Sequence, residues 1–570
     1  MKNPIWKSAL FFSVIALLLV GCAGLGKMED HIEELGAKSS PEPLIVKGDK
    51  IDLEITGEFP EKYFHKKVRV EATPVLVYEG GETAFKMTEY QGEDAAGNGT
   101  VIPYATGKSF TYTDQIDYDP AMENAGALEL RIYGEKGNKN ETFAPLVIGS
   151  GVITTPYLMK SDDMPIMAMD NFQRVLSFSN SDTEINYGKN KSNVTSKELK
   201  DEDWINMKMF VEGIIADERK DVTKISLKAY ASPEGEITLN DNLAQERAES
   251  SAAAVTKYLK GVGVELEEGS ELITLVPLGE DWEGFKSKMQ TSDIEDKQLI
   301  IRLLEDYTDK DKREEEIRNL SFTFKEIEKQ ILPELRRSQI VIDYDETGYS
   351  DEELIQIGKS TPSSLTVEEL LKAATLVSDM NDKLAMYKAG ADKYITDYRC
   401  ANNAAAILIM QGDNDMAQTY MGKATTAETN AITNNNMGIL TRRSGDRRAA
   451  MNFYGNASGA GSEVNYNKGL IQIQDGEYDA AIGSMNGQET FNTALVKMLN
   501  GDNEGASQAI TESNDESALA DYLRAIIAAR SSDSAGVMSN ITSAVAKNES
   551  LKEKAKKDLE FRDFKAQFSF

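Results

Sequence analysis

The feature that most constrains this chain is a repeat in its last third. A glycine followed by an acid recurs as Gly412-Asp413, Gly445-Asp446, Gly476-Glu477 and Gly501-Asp502. Seven positions before each glycine stands a small residue: Ala405, Gly438, Gly469 and Ala494. Five positions after each stands an alanine (Ala417, Ala450, Ala481, Ala506), and a bulky residue follows four further on, at Met421, Tyr454, Met485 and Ile510. The register has a packing reason. The small residue and the alanine let two helices approach closely, and the glycine ends the first of them in a left-handed turn. One such pair cannot bury its own apolar face, so the pairs must stack. The spacings are 33, 31 and 25 residues, so the repeats shorten toward the end, and a further helical pair around Tyr522 to Ala546 would cap them.

This pattern resembles the tetratricopeptide repeat, whose period is about 34 residues. The resemblance implies an α-helical solenoid over 360–570 with a concave groove that takes a peptide or protein partner. Arg442, Arg443, Arg447 and Arg448 cluster at one turn of this otherwise acidic region. They form a candidate patch for an acidic partner segment, weighed against the simpler reading of a solvated turn.

The N-terminus reads as an export signal. Lys2 and Lys7 form a positive start, Ala9 to Val20 an apolar core, and the segment closes on Leu19-Val20-Gly21-Cys22. The apolar run is short for a membrane span, which needs about 20 residues. The closing residues resemble the bacterial lipobox, which implies removal of residues 1–21 and lipid on Cys22. Residues 22–42 are polar and read as a tether. The chain carries −31, and loss of Lys2 and Lys7 makes it −33, which argues against nucleic acid or an anionic lipid surface as a partner. With Cys22 acylated, Cys400 has no disulfide partner and reads as a small buried hydrophobe. Only two histidines are present, His31 and His65, so histidine-dependent catalytic or zinc sites are hard to build. No metal and no cofactor is expected.

Residues 43–160 read as a β-sandwich of immunoglobulin-like type. Lys67 to Ala72 and Ala127 to Tyr133 alternate with period two, and Glu79-Gly80-Gly81 and Ala96-Gly97-Asn98-Gly99 mark turns. Residues 165–345 alternate strands and helices in a β-α-β-α-β-β order. Ala231-Ser232-Pro233-Glu234-Gly235, then Asn240-Asp241-Asn242-Leu243-Ala244-Gln245-Glu246-Arg247-Ala248, then Leu335-Arg336-Arg337-Ser338-Gln339-Ile340 resemble the motifs of the OmpA C-terminal family. That resemblance implies peptidoglycan as a candidate ligand. In the family an aspartate and the helix arginine hold the charged ends of diaminopimelate. Arg247 matches the arginine, whereas Ser232 stands at the aspartate position and Glu234 is the acid within reach. A long insert, 278–333, separates the last two strands; its Gly279-Glu280-Asp281-Trp282-Glu283-Gly284 resembles a Bacteroidetes subgroup, with Trp282 expected to pack the insert on the domain. The acidic run Asp343 to Gly348 reads as a solvated linker.

These readings give a multidomain chain: N-terminal β-sandwich, central α/β OmpA-like domain and C-terminal tetratricopeptide-like solenoid. Taken together they resemble a Bacteroidetes-type outer-membrane lipoprotein. The function ranked first is a non-catalytic scaffold that docks proteins of an envelope assembly or secretion machine. An accessory or anchoring component of a surface fimbria ranks second, and a glycan-acting enzyme using carboxylates alone ranks third. The periplasmic face of the outer membrane is marginally favoured over the cell surface.

Overall fold

The computed structural model describes residues 24–266 and 270–570. Cys22 and the expected export signal lie outside the described residues. Two units are distinguished, one built from 24–169 and 387–570, the other from 170–386. No helix among the described residues is long and apolar enough to cross a membrane.

The first unit begins with two sheets that share one core. Five strands make the first sheet, with Lys50–Phe59 paired to Lys108–Asp117 along its whole length. Seven make the second, centred on Arg69–Tyr78 against Ala125–Lys136. The period-two alternation expected for 67–72 and 127–133 is realised in one sheet, where Val70, Ala72, Leu128, Leu130 and Ile132 face inward, and Ile51, Leu53, Ile55 and Phe59 face inward from the other. Residues read as a tether are instead folded. Leu25–Asp30 is helical, Ile32–Leu35 is a 3-10 turn, and Lys38–Ser40 joins the first sheet. The reason lies in three apolar side chains, Leu25, Met28 and Leu35, which are buried in the sandwich core. The Tyr63 hydroxyl donates to the Met28 carbonyl at 2.8 Å, and Gly134 leaves the space that Leu25 fills.

From Tyr398 the same unit is a stack of helix pairs. The first is Tyr398–Gln411 with Asn414–Ala427, followed by Ala431–Arg443 with Arg447–Asn456, and Glu463–Gln474 with Tyr478–Ser484. Phe491–Leu499 with Asn503–Glu512, then Ala518–Arg530 with Ser534–Lys547, complete it. Gly412, Gly445, Gly476 and Gly501 all have positive φ, and Asp413, Asp446 and Asp502 cap the helices that follow by accepting from backbone N–H groups. The small-residue positions are close contacts: a Cβ at Gly438 would fall 2.4 Å from the Tyr454 ring, and one at Gly469 2.6 Å from Met485. Gly438→Ala should therefore destabilise the stack by about 1–3 kcal/mol, the usual cost of overpacking a closed core. Helix propensity alone would make the change favourable, so a rise in the urea midpoint would show that the ring simply moves aside.

In the second unit the sheet order is Val175–Asn186, Arg337–Thr347, Lys220–Ala231, Ile273–Glu280; only the last pairing is parallel. Helices Glu202–Ile215 and Ile237–Gly261 share one core with Ile225, Leu227, Ile340 and Ile342. The expected order of strands and helices is present. The insert forms four short helices between Trp282 and Gln330 with a small core of its own. Trp282 Nε1 donates to Glu280 at 2.8 Å, and the Arg313 guanidinium lies over its ring. The run 343–347, read as a linker, instead continues the strand Arg337–Thr347. It pairs on both sides, and Tyr344 stacks on Phe178.

Candidate functional site

The groove side of the helix stack carries a column of asparagines that sequence reading did not single out. Asn403, Asn436, Asn467 and Asn492 each stand two residues before the small residue of their repeat, so they recur with the same 33, 31 and 25 spacing. All four are buried. A buried carboxamide needs partners for both its donor and its acceptor. Here one extended segment of the same chain, 160–168, supplies them.

Each carboxamide grips one residue's backbone at both ends. Asn403 Oδ1 accepts from the Ala168 N–H at 2.7 Å, and its Nδ2 donates to the Ala168 carbonyl at 2.9 Å. Asn436 does the same to Ile166, both at 2.8 Å. Asn467 holds Met164 at 2.8 and 2.9 Å, and Asn492 holds Lys160 at 2.9 and 2.8 Å. Alternate residues 164, 166 and 168 point the same backbone edge at the ladder, as an extended chain requires. Asn402 and Asn435 add donors to the Ile166 and Met164 carbonyls and link one rung to the next.

Side chains fix the register. Asp163 is fully buried against the arginine cluster: Arg442 grips it through Nε and Nη2 at 2.8 and 2.7 Å, and Arg443 Nε adds a bond at 2.9 Å. Lys160 pairs with Asp515 and lies over the Phe491 ring. The four candidate arginines are thus divided. Arg442 and Arg443 close on Asp163, Arg447 pairs with Asp49 of the sandwich and with Asp475, and Arg448 is exposed. The acids that three of these arginines meet belong to the same chain.

Asp162 sits beside that pair and takes bonds from the Tyr466 hydroxyl at 2.8 Å and from Asn492. The residue is exposed overall, but desolvation of its carboxyl against the neighbouring repeats raises its pKa from the usual value, opposed by those hydrogen bonds. A carboxyl harder to ionise when folded binds more protons in the native state, so its contribution to stability falls as pH rises through about 4 and is least favourable near neutrality. Asp162→Asn keeps an acceptor for Tyr466 and Asn492. It should match or exceed the wild-type urea midpoint at neutral pH, with the difference shrinking below pH of about 4. A variant weaker at neutral pH would mean that the charge itself is needed.

The second unit holds the other candidate residues. Arg247 is buried on helix Ile237–Gly261, donating from Nε to the Lys191 carbonyl at 3.0 Å and from Nη1 to the Tyr230 carbonyl at 2.7 Å, with its guanidinium over the Tyr187 ring. Burial pushes its pKa down to about 10. Ser232 and Glu234 do come together, but around a residue of this chain. Arg336 Nη2 meets Glu234 Oε1 at 2.7 Å, Arg336 Nε donates to Ser232 Oγ at 3.2 Å, and Ser232 Oγ donates to Glu234 at 3.0 Å. The Glu234 carboxylate is therefore already paired with a guanidinium of this chain. At the rim, Glu314 of the insert accepts from the Gly235 N–H at 2.7 Å.

No family model and no curated protein matches the chain. Among solved structures, a tetratricopeptide repeat protein from Parabacteroides merdae is 14% identical over 37% of this chain and 91% of its own, with a TM-score of 0.29. PilW, a type IV pilus biogenesis factor, is 17% identical over 37% of this chain and 98% of its own, with a TM-score of 0.26. PilF of Pseudomonas aeruginosa is 15% identical over 38% and 99%, with a TM-score of 0.28. Likeness at this level adds nothing to the packing already described. The helix pairs themselves make the array tetratricopeptide-like.

Proposed function

We propose that this chain is a non-catalytic scaffold of the bacterial outer membrane, held by lipid on Cys22 and docking protein partners of an envelope assembly or secretion machine. The observation that supports it is the stack of helix pairs, a repeat architecture whose extended faces suit protein docking. Its groove is already filled by residues 160–168, so the array joins its own N-terminal domain to the repeats, and partners dock on other faces of the molecule. The periplasmic face is the favoured location.

Peptidoglycan contact through Arg247 is the weaker part of this reading, because an incoming ammonium must displace Arg336 from Ser232 and Glu234. Affinity purification of the intact protein after gentle detergent extraction should recover outer-membrane proteins in fixed ratio. Recovery of the chain alone would sink the scaffold reading. The full-length protein should also stay in the supernatant when mixed with purified sacculi; co-sedimentation abolished by Arg247→Ala would restore murein as a ligand.

A further inference from the structure

The expected lipid site and the folded sandwich are separated by almost no chain. Leu25 is fully buried, and Gly24 lies on the surface, where a Cβ would fall 3.0 Å from Lys136 Nζ and 3.1 Å from the His65 ring. Between Cys22 and Gly24 there are two peptide links, which reach at most about 7 Å. A diacylglyceryl group on Cys22 would therefore hold this end of the sandwich against the headgroups with no spacer. We infer that the end of the sandwich around Gly24, formed by residues 61–67, 93–94 and 135–139 beside the helix Leu25–Asp30, is a membrane-contact face that rests on the lipid headgroup layer. The inference rests on the lipid-anchor reading of Cys22.

Charge points the same way. The residues 24–30, 61–67, 93–94 and 135–139 carry six lysines and six acids, whereas acids exceed bases by 31 over the whole chain. An anionic leaflet attracts bases and repels acids that come within a Debye length of it. An acid-rich face is repelled there, and a balanced one is not. The short leash selects the end that meets the membrane, and the balanced charge there does not oppose it. The backbone here is also fixed: the Tyr63 hydroxyl and the Ala144 N–H bind the helix through the Met28 carbonyl and Glu29. The face therefore moves with the sandwich and not with a flexible arm.

The test uses the full-length protein, extracted from membranes and reconstituted into phosphatidylcholine–phosphatidylglycerol vesicles that carry a headgroup nitroxide quencher. With Cys22 acylated and Cys400 buried, a thiol-reactive fluorophore goes only to an introduced cysteine. Labels at Lys67→Cys and Lys139→Cys should be quenched at least about threefold more than one at Glu79→Cys, which stands one ten-residue strand (about 30 Å) away. A long Gly/Ser spacer inserted after Cys22 should abolish that difference while the protein stays with the vesicles. Equal quenching at the three positions in protein whose mass includes diacylglyceryl would overturn the contact face and leave the anchor intact. A mass without lipid would overturn the anchor reading and the face with it.

Discussion

Asp163→Ala should cost about 3–5 kcal/mol, the range for removing one partner of a buried ion pair. The carboxylate is fully buried and is the single acid shared by Arg442 and Arg443. Truncating it leaves the Arg442 guanidinium, 2% exposed, without its bidentate partner. The loss should appear as a lower urea midpoint for the unit containing the sandwich and the repeats. Asp163→Asn should lie between, because an amide oxygen still accepts one bond while its NH2 faces the second arginine. Pairing Asp163→Ala with Arg442→Met should recover part of the loss, since an apolar replacement removes the orphaned charge. An Asp163→Ala midpoint within error of wild type would show that water reaches these arginines and that the segment is only loosely seated.

Much of this architecture was legible in the sequence, and the boundary of legibility has a physical cause. Period-two alternation in 67–72 and 127–133 and the glycine register of the repeats report burial of one face, which a single sequence displays. Gly438 and Gly469 were readable as close contacts for the same reason. What stayed hidden was burial against distant sequence. Leu25, Met28, Ile32 and Leu35 stand at helical spacing in a short charged stretch, but nothing local shows that they pack on a distant sheet. Residues 160–168 alternate weakly because most of their recognition is of the backbone, with Asp163 and Lys160 adding side-chain contacts that follow no period. The ladder did leave a trace in the doubled asparagines Asn402-Asn403 and Asn435-Asn436 at one repeat spacing, since asparagine is a poor interior helix residue unless its amide has a use. Arg336 illustrates a third limit. A family motif locates Ser232, Glu234 and Arg247, but only the packed structure shows which cation occupies the acid.

Asn436→Ala carries the second large expected effect. It removes the acceptor for the Ile166 N–H and a donor to its carbonyl, and it also breaks the link to Asn402. An unpaired buried donor or acceptor costs about 1–3 kcal/mol each. Asn402 still donates to the Ile166 carbonyl at 3.0 Å, so one orphan is certain and the total should be about 2–4 kcal/mol. Asn436→Asp separates geometry from charge: it keeps the acceptor, loses the donor, and buries a carboxylate with no cation beside it. It should be at least as damaging at neutral pH and should recover toward wild type as the medium is acidified and the carboxyl takes a proton. Hydrogen exchange gives the site-specific readout. The amides of 160, 164, 166 and 168 should be among the most protected in wild type, and in Asn436→Ala the loss should spread from 166 to its neighbours along the ladder. Combined with Asp163→Ala, the cost should be less than additive, because either change alone frees the same segment. Strict additivity would mean that the ladder and the arginine pair hold the segment independently, and that losing one leaves the other rungs closed.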